Sequence, residues 1–202
     1  HDLLELADFV EPVVCADQCL FGGSARREPG GEIQIGSFVL RLRRAAYGVE
    51  LAVLRLQNVY GAGQSLSNPY TGIMSLFCRM AREGRSIPLY EDGQMRRDFI
   101  YIDDVASAIV AAVSAETVAA DPLDVGSGRP DTIAAAAAII ADYYGAPAPH
   151  ITGQFREGDV RHAWADVERA QSVLGWSPQI SLAEGVTRLA TWIDQQSFVP
   201  EV

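Results

Sequence analysis

Short aliphatic runs of strand length alternate along this chain with longer stretches whose apolar residues recur every three or four positions, and that alternation confines it to a layered α/β architecture. Residues 12–16 (PVVCA) and 51–57 (LAVLRLQ) read as buried strands, the second carrying Leu51, Val53, Leu54 and Leu56. Residues 123–125 form a third, shorter one. The spacing predicts helices over 70–83, 103–115, 132–144, 166–174 and 182–195, with a shorter one over 3–9. Gly84, Gly145 and Gly175 follow three of them, and Pro178 comes just after the third stop. In the last helix Val186, Leu189, Ala190 and Ile193 share one face, so that helix is expected to pack on a core. The alanine run from Ala134 to Ala138 adds helix propensity.

The stretch 21–37 (FGGSARREPGGEIQIGS) breaks this pattern with loop composition, and a compact domain seldom carries so long a loop unless it is functional or sequence is missing there. The balance of charge narrows the partners. There are 26 acidic and 16 basic side chains, a net charge of −10, which repels a phosphate backbone and argues against nucleic acid. All the basic residues are arginine, so no lysine is available for a Schiff base, a phosphate loop or the tuning of a neighbouring phenol. The longest apolar runs fall short of the roughly 18 residues that span a bilayer, and His1-Asp2-Leu3-Leu4-Glu5 does not read as a signal peptide. A cytoplasmic protein away from membranes is the expectation. Cys15, Cys19 and Cys78 make no CxxC pair and read as ordinary reduced thiols.

Several chemical signals fail on inspection. Gly61-Ala62-Gly63 and Gly126-Ser127-Gly128 each follow a predicted strand, but neither has the third glycine of a dinucleotide fingerprint. His1, His150 and His162 lack metal-ligand spacing, so no metal is expected. No GxSxG elbow occurs. Asp103-Asp104 could be a catalytic carboxylate pair, but at the front of a helix they read more simply as a cap and dipole partner. The arginines Arg96, Arg97, Arg156 and Arg161 admit two readings. They could be forks for a diphosphate, whose oxygens match the planar guanidinium, or solvated residues paired with Glu91, Asp92 and Glu157.

Three segments in order resemble one family. Residues 54–64 (LRLQNVYGAGQ) are similar to the LRxxNVYGPGQ segment of the extended short-chain dehydrogenases/reductases. Residues 90–106 (YEDGQMRRDFIYIDDVA) resemble their YGDGxxxRDFxYVDDVA segment. Residues 156–166 (REGDVRHAWAD) with 174–178 (LGWSP) resemble their RxGDVRxxxAD and LGWxP ending. The stretch 64–73 is similar to the loop of dTDP-L-rhamnose 4-epimerase-like members.

Members of that family are NAD(P)-dependent nucleotide-sugar epimerases, dehydratases and reductases. The resemblance implies the remainder of a Rossmann-type parallel sheet with a smaller, mostly helical substrate-binding domain. It divides the chain into 1–60, a partial Rossmann-type domain without its first βαβ unit, and 61–202, mainly nucleotide-sugar-binding, with segments near 100–125 returning to the sheet. Carried over, Asn58 meets the nucleotide diphosphate, Arg97 and Arg156 hold phosphate, and Asp159 contacts the nucleoside ribose. The segments from Tyr70 and at 88–90 wall the base. NAD is the implied cofactor, a nucleotide sugar the implied partner. Many members pair as homodimers through two long helices; the resemblance implies that the one that should carry Tyr and Lys is shortened here to a helix over 38–46, whose Phe38, Val39, Leu40 and Leu42 are open to that role.

The catalytic half departs from the family. Its chemistry is a transient oxidation in which a Tyr, its pKa lowered by a Lys four residues on, removes the sugar hydroxyl proton while hydride passes to NAD. Tyr47 is followed by Gly48-Val49-Glu50-Leu51, and no lysine exists to complete a YxxxK. Residues 13–22 (VVCADQCLFG) lack the hydroxyl residue expected before a (V/L)YG. Three readings stay open. One is a dTDP-6-deoxyhexose-type nucleotide-sugar 4-epimerase, or a related reductase or dehydratase, whose sequence here is truncated or closed up near 31–37. A second is a catalytically inactive nucleotide-sugar-binding remnant, and a third a structural protein reusing the scaffold.

Overall fold

A computed structural model describes residues 13–18, 51–66, 72–115, 121–155 and 159–196. The helices predicted over 3–9 and 38–46 lie outside the described residues, as do the loop at 21–37 and Tyr47.

Strands β1 (Val13–Gln18), β2 (Leu51–Leu56) and β7 (Leu123–Val125) form a parallel sheet in the order β1-β2-β7. Strand β2 is central, and Ala52, Val53, Leu54 and Leu56 are buried on both its faces, as a parallel strand covered on each side requires. Its exception, Arg55, sits beside Asp124 in the ladder and grips it with two parallel bonds of 2.7 and 2.8 Å. Helices α2 (Ile102–Ser114) and α4 (Glu168–Leu174) pack here. Their Val105, Ala108, Ala112 and Ala170 join Leu54, Leu123 and Val125 in one buried core. Trp176 closes it and donates its indole N–H to Ser107 Oγ at 2.8 Å.

A second core lies among three helices. These are α1 (Ile73–Arg82), α3 (Ile133–Tyr144) and α5 (Leu182–Asp194). Met74, Phe77, Cys78 and Ala81 recur at helical spacing on α1 and meet Ala136, Ala137, Ile140 and Ala141 of the alanine-rich α3. As the periodicity predicts, Val186, Leu189 and Ile193 of α5 enter the same core. Thr132 caps α3, its hydroxyl accepting the Ala135 amide at 3.0 Å, and Gly145 ends it in the left-handed region. Helix α4 starts two residues later than its sequence pattern, and α1 and α5 each end one residue earlier. Asp166 stands before α4 and accepts the Glu168 amide, instead of lying inside the helix.

Three small ribbons connect these layers. Strand β3 (Asn58–Tyr60) runs parallel to β6 (Phe99–Tyr101), and β4 (Pro88–Leu89) parallel to β9 (His150–Ile151). Strand β5 (Arg96–Arg97) lies between β10 (His162–Ala163), parallel, and β8 (Asp131–Thr132), antiparallel.

Candidate functional site

The β10-β5-β8 ribbon and the turn before it gather the residues singled out in the sequence. At the end of β5 the extended backbone turns Asp98 inward and Arg97 to the other side. Arg97 is largely covered, with 14% of its side chain exposed. Its Nη1 donates to the carbonyls of Arg96 (2.9 Å) and Arg161 (3.2 Å), and its Nη2 to Asp159 Oδ1 at 2.9 Å. Two of the four expected site residues are therefore in direct contact. Asn58 opens β3 with an exposed side chain, and its amide donates to the Asp98 carbonyl at 3.0 Å, one residue from Arg97. Arg156 lies outside the described residues.

Arg161 has other partners. Its Nη1 donates to Glu91 Oε2 at 2.7 Å and its Nη2 to Asp92, two of the acids named in the solvated-pair reading. The Gln94 amide and then the Arg161 guanidinium hold the Asp92 carboxyl below its ordinary value. Glu91 has φ of 50°, positive at a residue that is not glycine, and the YGDG pattern it resembles has glycine there.

Asp103 and Asp104 do not act as the expected cap. The N-cap of α2 is Tyr101, which makes no side-chain cap bond, although both acids do lie in the first turn. Asp104 is buried and its two oxygens accept the amides of Gln179 (3.0 Å) and Ile180 (2.9 Å), fixing the chain that enters α5. Asp103 pairs with Arg188 at 3.0 Å. Both carboxylates are thus occupied by structural partners.

Sequence reasoning assigned no role to Asp98, which is fully buried. Its Oδ1 accepts the Ser127 amide and hydroxyl, each at 2.7 Å, and its Oδ2 the amides of Gly128 and Ala165, each at 3.2 Å. A carboxylate at the head of the apolar run 99–102, one residue from a candidate phosphate arginine, was the available clue.

The same contacts decide whether NAD fits. A diphosphate cradle needs glycines whose open faces admit phosphate and amides that point at it. Here the amides after β7 are aimed at Asp98, whose carboxylate fills the space beside Gly126, and Ile102 fills the space beside Gly61. The described residues do not fit the diphosphate of NAD. Among them, no three His, Cys, Asp or Glu side chains could hold a metal ion, and no helix is long and apolar enough to cross a membrane. Ser86 meets His150 Nδ1 at 2.7 Å, but its hydroxyl proton goes to the Ala148 carbonyl at 2.6 Å, so it is not a nucleophile poised on a base.

Residues 35–126 match the model of the NAD dependent epimerase/dehydratase family. The chain is 54% identical over 158 residues to a dTDP-L-rhamnose 4-epimerase of Burkholderia thailandensis, a match covering 78% of this chain and 44% of that protein. Over residues 35–126 the chain carries the pattern of the NAD dependent epimerase/dehydratase family. A second relative, a UDP-glucuronate 4-epimerase of Thermodesulfobacterium geofontis, is 32% identical, covering 72% of this chain and 44% of its own length. The crystal structure of a UDP-glucose 4-epimerase from Thermotoga maritima with UDP-glucose superposes with a TM-score of 0.78 at 24% identity. It covers 92% of this chain and 64% of that one, which places the chain on the Rossmann-type α/β fold of these epimerases. The chain spans about half the length of the curated epimerases it matches.

Proposed function

We propose that the protein is an NAD-dependent nucleotide-sugar 4-epimerase acting on a dTDP-6-deoxyhexose, and that this chain supplies the part that holds the nucleotide sugar. The observation that carries this reading is the pairing of Arg97 with Asp159 beside the strand that begins at Asn58. Arg97 spends three of its five N–H groups on the described residues, leaving its Nε–H and one Nη2–H to grip phosphate oxygens. Among the described residues Asp159 gives one oxygen to Arg97, and in this proposal its other oxygen accepts a ribose hydroxyl. Arg156 and the Asn58 side chain complete the diphosphate contacts in this proposal. The sugar and the nucleotide are taken from the 54% identical relative.

The division at residue 61, with 100–125 returning to the sheet, belongs to the same proposal and is supported by the two separate cores. A homodimer in the cytoplasm is also part of it. NAD, when bound, accepts and returns the hydride of a transient oxidation. The described residues do not cradle it and the sequence contains no lysine, so no proton or hydride step is assigned to them.

That absence of lysine supports a second reading, nucleotide-sugar binding without turnover. Calorimetric titration of the purified protein with dTDP and UDP tests the site, and proton NMR of a dTDP-6-deoxyhexose incubated with protein and NAD tests the chemistry. Tight dTDP binding with inversion at the sugar C4 is the expected result. A product that is reduced or dehydrated assigns a sister reaction, and binding without conversion favours the second reading. No dTDP binding at saturating concentration overturns both.

A further inference from the structure

Glu91 carries a backbone conformation that a non-glycine side chain adopts only when its surroundings compel it, with φ of 50°. Its contacts show what compels it. The Glu91 amide donates to the Gln154 carbonyl at 2.7 Å, and its carboxylate accepts from Arg161 Nη1 at 2.7 Å. Gln154 and Arg161 stand on either side of Asp159 in the sequence, so one residue is bonded to the described chain both before and after the residue that pairs with Arg97. The stitching continues outward on each side. Thr152 donates its amide to the Leu89 carbonyl at 2.9 Å, and Arg161 returns its own carbonyl to the Arg96 amide at 3.0 Å.

We infer that Glu91 is a positioning residue of the nucleotide site, a clip that fixes the approach of Asp159 to Arg97 through Gln154 and Arg161. The inference rests on the proposed nucleotide-binding role of Arg97 and Asp159. Asp92 also pairs with Arg161, but it lacks the second bond to Gln154 and so secures one foot only. A left-handed residue with an ordinary side chain is kept against its own preference, so the position is set for geometry and not for stability.

This separates a positioning role from a structural one. Glu91→Gly suits the left-handed backbone but removes the carboxylate, so the thermal midpoint is expected to hold or rise while the dissociation constant for dTDP weakens about tenfold. Glu91→Gln should weaken dTDP, Arg161→Gln should weaken it at least as much because it also gives up Asp92, and the double variant Glu91→Gln/Arg161→Gln should lose no more than Arg161→Gln alone, which already removes the clip. Calorimetric titration with dTDP and thermal melts of the parent and these variants read all of this. Parent-like dTDP affinity in Glu91→Gly, or losses that add in the double variant, overturn the inference while leaving the nucleotide site intact. Failure of the parent itself to bind dTDP removes the site and the inference together.

Discussion

The carboxylate of Asp98 occupies the space into which a side chain at Gly126 would have to project. A methyl group there would also meet Gln57 Cγ at 2.9 Å and Ala165 Cβ at 3.0 Å, two further segments that cannot retreat without opening the sheet end. Gly126→Ala is therefore expected to cost about 3 kcal/mol, part overpacking and part loosened bonds to Asp98. Urea denaturation of the two proteins measures it, and a midpoint within error of the parent would contradict the packing described.

Tyr60 and Gly185 form a second fit of this kind. The phenol edge-packs on Phe99 and Tyr101, and its hydroxyl lies where a side chain at Gly185 would project, 3.4 Å from the Leu182 carbonyl. That bond is long, so Tyr60→Phe should cost less than about 1 kcal/mol. Gly185→Ala should cost about 2 kcal/mol, and adding Tyr60→Phe should recover part of that loss because the hydroxyl is what a new methyl group strikes. Additive losses in chemical denaturation would show that the two positions do not share this space.

How far the sequence reveals all this depends on the range of the contacts. Strand β2 and helices α3 and α5 were legible because their signals are local: a short aliphatic run broken only by Arg55, a Thr cap with its terminal glycine, and a stripe at helical spacing. Asp98 and Asp104 were not, because their partners at Ala165 and Ile180 lie 67 and 76 residues away and a carboxylate beside a helix start has an obvious local use. Arg97 and Arg161 have the same chemistry and nearly the same setting. A guanidinium fits a carboxylate as well as a phosphate, so spacing alone could not say that Arg161 pairs with Glu91 and Asp92 while Arg97 pairs with Asp159.

Cys78 lies on the inner face of α1 with no exposed surface, and burial, assisted by the charge of Asp194, pushes its thiol up to about 12. A thiol raised in this way stays protonated and hidden throughout the neutral range, so its alkylation requires the core to open. Iodoacetamide at pH 8 is expected to leave Cys78 unmodified in the native protein and to label it fully in urea, as read by peptide mass mapping. Rapid native labelling at Cys78 would mean that α1 does not seat as described.

Asp131 gives the stability a pH dependence of unusual sign. Burial is the main cause that raises its carboxyl, Arg129 opposes the rise, and the nearby Asp98 adds to it. Below the unfolded value of about 3.9 the group is protonated in both states, and its favourable contribution is complete. As pH climbs through the higher folded value, the native state must ionise a half-buried acid beside another carboxylate, and that contribution is lost. Asp131→Asn cannot ionise, so the variant should gain on the parent as pH rises from about 3.5 to 7. Most native carboxylates that form ion pairs behave oppositely, which makes the comparison diagnostic. Thermal midpoints of parent and variant across that range decide it, and a difference that stays flat or shrinks with rising pH would place the Asp131 carboxyl in solvent instead of between β5 and α3.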